Sequence, residues 1–169
     1  MKGIPYLLNA LAVLKKKRED FHLDVVGYGP YREEYERMVI NLGLSDKVKF
    51  HGMKTKREVA KFIKECEFLV LPSLYESFGI VLLEAMACGK PVITTLSGGQ
   101  KEFVNENTGI LVPAKDVNAL ASAIDYMLDN YHKYSPQRIS KYVREAFSYK
   151  TIGKLLYNAY IELLTNKES

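Results

Sequence analysis

Phe68-Leu69-Val70-Leu71 sets four apolar residues in succession with no polar alternation. A strand of that kind has both faces covered, which in a water-soluble chain means a parallel sheet with helices on each side. Four further β-rich runs share the chain: His22–Val26, Lys47–His51, Val92–Thr94 and Gly109–Pro113. Each pair of successive runs has a segment of helical character or a short turn between. Strands alternating with helices predict an α/β, Rossmann-like parallel sheet with helices on both faces. The expected strand around the opening run is Glu67–Leu71.

The helices follow from apolar spacing and from caps. Residues 4–18 carry Leu7, Leu8, Leu11 and Leu14 at helical spacing and end in Lys15-Lys16-Lys17-Arg18. A basic run at a helix C-terminus complements the macrodipole; it reads either as a solvated end or as a polyanion patch. Tyr31–Leu42 is the next helix, stopped by Gly43, and Thr55 with Glu58 forms a capping box for a helix to about Glu65. Val59, Phe62 and Ile63 are expected to point inward. Gln100–Asn105 predicts one or two helical turns, and Asp116 caps a helix bearing Leu120, Ala121, Ile124 and Leu128. Two last helices are expected at about 135–149 and 151–164, the second striped by Leu155, Leu156, Tyr160 and Leu163.

At 169 residues without an internal repeat or linker, residues 1–169 read as one domain. A net charge of +4 is too weak to argue for nucleic acid. No apolar run approaches about 18 residues, so no transmembrane helix is expected. Met1-Lys2-Gly3-Ile4-Pro5 does not resemble a signal peptide. Cys66 and Cys88 lie apart without metal-ligand spacing and read as reduced core thiols, which suits the cytoplasm.

The chemistry concentrates in Leu71–Pro91, LPSLYESFGIVLLEAMACGKP. A strand runs into Ser77-Phe78-Gly79, then a helix over Gly79–Cys88, then another strand. The first turn of that helix offers unpaired N–H groups beside a glycine, a place where a phosphate docks in α/β sheets. Two glutamates, Glu76 and Glu84, stand on either side. Glu76 reads as a carboxylate for sugar hydroxyls or as a helix cap. Glu84, inside the apolar run Ile80–Met86, reads as a ligand for two ribose hydroxyls or as a partly exposed helix residue. Gly27-Tyr28-Gly29 after a strand permits close approach of a ligand or only a tight turn.

These segments resemble the C-terminal, donor-binding half of a retaining GT-B glycosyltransferase of the group 1, family 4 type. The resemblance rests on Lys2-Gly3, Gly27-Tyr28-Gly29-Pro30, Val48-Lys49-Phe50-His51-Gly52, Pro72–Gly79, Glu84–Val92, Gly98-Gly99 with Glu102, and Thr108-Gly109, and it runs to about residue 128. It implies Glu76 beside the donor sugar and Lys2 against the diphosphate as catalytic groups. It implies Ser77, Phe78 and Gly79 over the sugar and phosphates, N–H groups of Ile80 and Val81 on the diphosphate, and Glu84 on the ribose. Met53 and Lys54 would flank the base, and Gly27 would line the cleft. Glu102, Cys66 and Cys88 are expected to be structural. With no Asp-x-Asp triplet, metal-independent transfer with front-face attack is implied, and no cofactor beyond a UDP-, GDP- or ADP-sugar substrate.

The departures from that pattern matter as much. An acceptor-binding domain of similar size and the first strand of this half, with its arginine, are expected before Lys2-Gly3 and are not in the sequence. In the 3-2-1-4-5-6 order that strand is central. The flanking strands would close directly, or a second chain would supply the strand, or the sequence is part of a longer one. Function therefore divides between the donor half of a hexosyltransferase that acts only with an acceptor domain and a stand-alone or degenerate nucleotide-sugar-binding module without turnover. A non-hydrolysing sugar-nucleotide epimerase of similar fold lacks support, because Pro72–Gly79 matches the transferases. The final helices would face the other domain, so their apolar faces are an expected self-association surface. Membrane contact, if any, is expected through a partner.

Overall fold

The computed structural model describes residues 2–165. Five strands and seven helices alternate: α1 Ile4–Lys15, β1 Leu23–Val26, α2 Arg32–Asn41, β2 Val48–Gly52, α3 Lys56–Glu65, β3 Leu69–Leu71, α4 Ile80–Ala87, β4 Val92–Thr95, β5 Gly109–Val112, α5 Val117–Asn130, α6 Pro136–Phe147 and α7 Tyr149–Thr165. A 3-10 turn, Gly99–Glu102, replaces the expected helical turns after β4. Every strand pairing is parallel.

The strands form two sheets rather than one: β1 beside β2, and β3-β4-β5 in that order. Among the described residues β1 and β3 do not pair, so the flanking strands do not close directly. The consequence is visible in β3. Its three residues are only half-buried, whereas all four of β4, between two neighbours, are buried. The apolar run that suggested full coverage is covered on one edge only.

Two apolar layers sandwich the strands. On one face Leu7, Leu8, Leu11 and Leu14 of α1 pack with Val39 of α2, Leu120, Ile124 and Met127 of α5, and Val48, Ile93 and Val112 from strands of both sheets. On the other face Ile63 of α3, Leu82, Ala85 and Met86 of α4, and Ile139 and Val143 of α6 surround Val92. Burying one leucine side chain contributes about 1.5–3 kcal/mol, so the α1 row is the main tie between the sheets. β1 and β2 are apolar on the first face only. Their second face carries Asp24 and His51, whose side chains hydrogen-bond while His51 packs on Phe62.

Local chemistry sets most ends. The Thr55 hydroxyl accepts from Glu58 N and the Glu58 carboxylate accepts from Thr55 N, a complete capping box. α1 stops at Lys15, three residues before the expected end. The basic run there is divided: Lys16 and Lys17 form an exposed, solvated end, while the outer two members are tied down. Lys15 donates to the Gly43 carbonyl and Asp46, and Arg18 pairs with Asp20, Asp125 and Asp129. That cluster raises the Arg18 pKa, chiefly through Asp20, and lowers Asp20 to about 2, chiefly through Arg18. It fastens the end of α1 to α5. At the other terminus α7 has no buried residue, and Leu155, Leu156, Tyr160 and Leu163 are all exposed. No helix is long and apolar enough to cross a membrane among the described residues.

Candidate functional site

The ends of parallel strands converge on one edge, and the suspected residues lie there because they directly follow strands. β3 runs into Pro72-Ser73 and the loop that carries Glu76. β4 runs into Leu96–Gly99. These two loops meet: Glu76 N donates to the Ser97 carbonyl at 3.3 Å, Gly99 N donates to the Ser77 carbonyl at 3.3 Å, and Glu76 bridges Gly98. A β-carbon on Gly98 would stand 1.6 Å from the Glu76 carbonyl oxygen, so only glycine permits this approach. Gly79 then takes a left-handed conformation (φ 83°) and opens α4. Leu82 N donates to the Gly79 carbonyl, and the N–H groups of Ile80 and Val81 in the first turn stay open to the edge.

Lys2 reaches this loop because Gly3, also left-handed, lies flush against it. A β-carbon there would meet the Pro72 carbonyl oxygen at 1.8 Å. Lys2 Nζ sits 2.6 Å from Glu76 Oε2, with Lys2 exposed and Glu76 nearly covered. Ser73 Oγ donates to the same carboxylate oxygen at 3.3 Å. Glu76 is held below the ordinary carboxylate range, first by the Lys2 hydrogen bond, with partial burial opposing and Ser73 and the Ser77 amide assisting. Lys2 and Glu76 thus neutralise one another, 74 positions apart in sequence.

The remaining expected residues divide. Phe78 packs its ring on Phe103 and Phe147, at 5.3 and 6.1 Å between centroids, so the ring anchors the turn to α6, while Ser77 is exposed and Gly79 is buried beneath the turn. Glu84 is exposed, contrary to a fully buried helix: α4 buries Leu82, Ala85 and Met86 and turns Ile80 and Glu84 to the open side. It has no side-chain partner among the described residues. Gly27, at the end of β1, donates its N–H to the Gly52 carbonyl at 2.9 Å, placing it beside Met53. Met53 is 77% exposed, and Lys54 is engaged by Glu58 at 3.4 Å. Gly27, Met53 and Lys54 therefore group at the end of the β1–β2 sheet, and Lys2, Glu76 and Ser77–Val81 at the end of the other. Cys66 donates its thiol to the Ile63 carbonyl and Cys88 closes α4, both as structural residues. Glu102, expected to be structural, is exposed and makes no side-chain contact among the described residues that would give it that role. Sequence reasoning did not find Ser73, Thr95, Ser97 or Gln100, which pack around the Glu76 loop; their only sequence signal is polar residues at and just after the ends of β3 and β4.

The sequence model of the family described as "Glycosyl transferases group 1" matches residues 1–146. A protein of Methanocaldococcus jannaschii described as an uncharacterized glycosyltransferase is 35% identical over 162 residues, which is 94% of this chain and 41% of that protein. The alpha-D-kanosaminyltransferase of Streptomyces kanamyceticus is 33% identical over 130 residues, 76% of this chain and 34% of that one. Among solved structures, the sucrose-phosphate synthase of Thermosynechococcus elongatus superposes with a TM-score of 0.83 at 33% identity, over 98% of this chain and 43% of its own. Anabaena HepE in complex with UDP-glucose gives 0.83 at 26% identity, over 95% and 45%. The chain spans less than half the length of each.

Proposed function

Since the chain belongs to the group 1 glycosyl transferases and has the fold of half of a GT-B enzyme, we propose that its strand-end edge is the donor half-site of a retaining hexosyltransferase. The carrying observation is the Lys2–Glu76 pair set beside the open first turn of α4. An arriving diphosphate has more charge to offer Lys2 than one carboxylate has, and the N–H groups of Ile80 and Val81 add donors aligned with the helix dipole. Lys2 moves onto the diphosphate, and Glu76 is released toward the sugar. Glu84, exposed on the open side of α4, takes ribose hydroxyls. Met53 and Lys54 flank the base, Gly27 lines the cleft, and Ser77, Phe78 and Gly79 form the turn above the sugar. That HepE holds UDP-glucose supports a nucleotide sugar as ligand.

In this reading the bond between the anomeric carbon and the diphosphate breaks while the acceptor oxygen attacks the same face. The acceptor proton leaves with the departing phosphate oxygen. Glu76 stabilises the positive charge that develops on the sugar, and Lys2 with the α4 amides stabilises the diphosphate. No cofactor enters. The acceptor is held by a further domain, in the same polypeptide or a separate one, and the gap between β1 and β3 is filled by one more strand of this half. We place the protein in the cytoplasm, with membrane contact only through that partner.

A second reading is a nucleotide-sugar-binding module without turnover. Calorimetric titration with UDP, GDP and ADP and their sugars, beside a transfer assay on the pure chain and on the chain joined to the N-terminal half of a transferase relative, separates the two: transfer by the joined protein supports the donor half-site, and binding without transfer there supports the module. Binding without transfer is expected for this chain alone. Transfer by the chain alone sinks the module reading, and absence of all binding sinks both.

A further inference from the structure

Beneath the Glu76 loop lies a line of buried polar groups that the donor reading leaves unused. Ser73, Thr95 and Gln100 are 0%, 3% and 0% exposed. The Thr95 hydroxyl donates to the Ser73 carbonyl. Thr95 Oγ1 and Ser97 Oγ are 3.2 Å apart, and Gln100 Nε2 donates to Ser97 Oγ at 3.0 Å. With the single Thr95 proton committed to Ser73, the Ser97 hydroxyl supplies the proton of the pair between them. Gln100 must then present its N–H, not its oxygen, to Ser97, because the opposite amide orientation would leave one link without a proton. Gln100 Oε1 is consequently stranded: it is the buried side-chain oxygen without a partner among the described residues.

An orphaned buried acceptor is a cost that a leucine of similar size would remove. A local rule broken without local compensation is characteristic of functional sites. The position supports that interpretation. Gln100 Cγ lies 3.6 Å from where a β-carbon on Gly79 would stand, under the turn that carries Glu76. The line ends at Ser73, whose own hydroxyl donates to Glu76 Oε2, the oxygen that also holds Lys2.

We propose that Gln100 is a positioning residue for Glu76, acting through Ser97, Thr95 and Ser73 to keep the carboxylate in place once a ligand draws Lys2 away. This rests on the donor-site reading. It assigns the line to recognition of the sugar rather than of the nucleotide, since Glu76 is the sugar-side acid.

The test measures affinity for UDP and UDP-glucose, GDP and GDP-mannose, and ADP and ADP-glucose, using whichever pair the wild-type chain binds. Gln100→Leu should leave the unfolding midpoint unchanged or raised and nucleotide affinity within about twofold. The preference for sugar nucleotide over nucleotide should fall by about five- to tenfold. Ser97→Ala should reproduce that loss without disturbing Gln100's packing, and serves if the leucine variant does not fold. In a Glu76→Ala background the Gln100→Leu effect should vanish. An unchanged preference in both single variants, or an equal fall for nucleotide and sugar nucleotide, overturns the proposal while leaving the donor site standing. So does a wild-type chain with no preference for the sugar nucleotide. A wild-type chain that binds none of the six overturns both.

Discussion

The two acids of the site differ most in their surroundings, and so in what their removal does. Glu76 is covered and charge-paired; its depressed pKa adds stability that is present above the ordinary carboxylate value of 4.5 and is lost as pH falls through the lowered one. Lys2→Ala should therefore raise the Glu76 midpoint toward the ordinary value and flatten that acid limb, read by carbon NMR of the carboxyl group. A midpoint that stays put would mean that Lys2 does not hold Glu76 in solution. Glu84 has no side-chain partner to lose among the described residues. Glu84→Ala should leave stability within about 0.5 kcal/mol. If Glu84 binds the ribose, the change should weaken nucleotides by about 1–3 kcal/mol in calorimetry. Affinity unchanged by that substitution would remove Glu84 from the site. The sequence alone made both residues conspicuous but not their surroundings. The apolar run around Glu84 left it open between a ribose ligand and a partly exposed helix residue; whether α4 is covered on one side or all round depends on α6 and β4, which local spacing does not encode. The contact of Lys2 with Glu76 spans 74 positions, from ahead of α1 to the end of β3, and depends on Gly3 fitting against Pro72. The Gln100 line was illegible for the same reason, since its links cross between loops.

Elements were read best where their ends are set by neighbours in sequence. The Thr55–Glu58 box formed as its spacing requires, and Gly43 stops α2 in a left-handed turn, φ 66°. Thr55→Ala should cost about 1 kcal/mol in urea unfolding, because one first-turn N–H loses its acceptor. Elements were read worst where a distant partner ends them. α1 stops early because Arg18 turns toward aspartates on α5, more than a hundred positions away. Asp20, lowered to about 2, contributes stability that is complete above its ordinary 3.8 and lost as pH falls toward 2. Arg18→Ala should abolish that part of the acid sensitivity and lower the thermal midpoint at neutral pH. If acid unfolding curves of the two proteins coincide after normalisation, the cluster is not formed in solution.

At the scale of the whole molecule, the two-sheet arrangement is the main departure from an ordinary doubly wound fold. Among the described residues β1 and β3 each leave one edge of N–H and C=O groups unpaired, and half-buried apolar side chains line both. Unpaired backbone at a covered position is costly, and open edges recruit strands. All existing pairings are parallel, so an added strand running the same way would complete hydrogen bonds on both sides at once. It would emerge beside Pro72, where Gly3 already holds the start of α1. A short apolar strand-forming segment, joined ahead of Lys2 or added as a peptide, should therefore slow amide exchange in Leu23–Val26 and Leu69–Leu71 and raise the unfolding midpoint. Without it, exchange in those two strands should be much faster than in β4, whose four residues are buried between neighbours. Hydrogen-exchange mass spectrometry of the chain with and without the segment decides the matter. Protection of β1 and β3 equal to that of β4 in the chain alone would show that the opening closes in solution by other means.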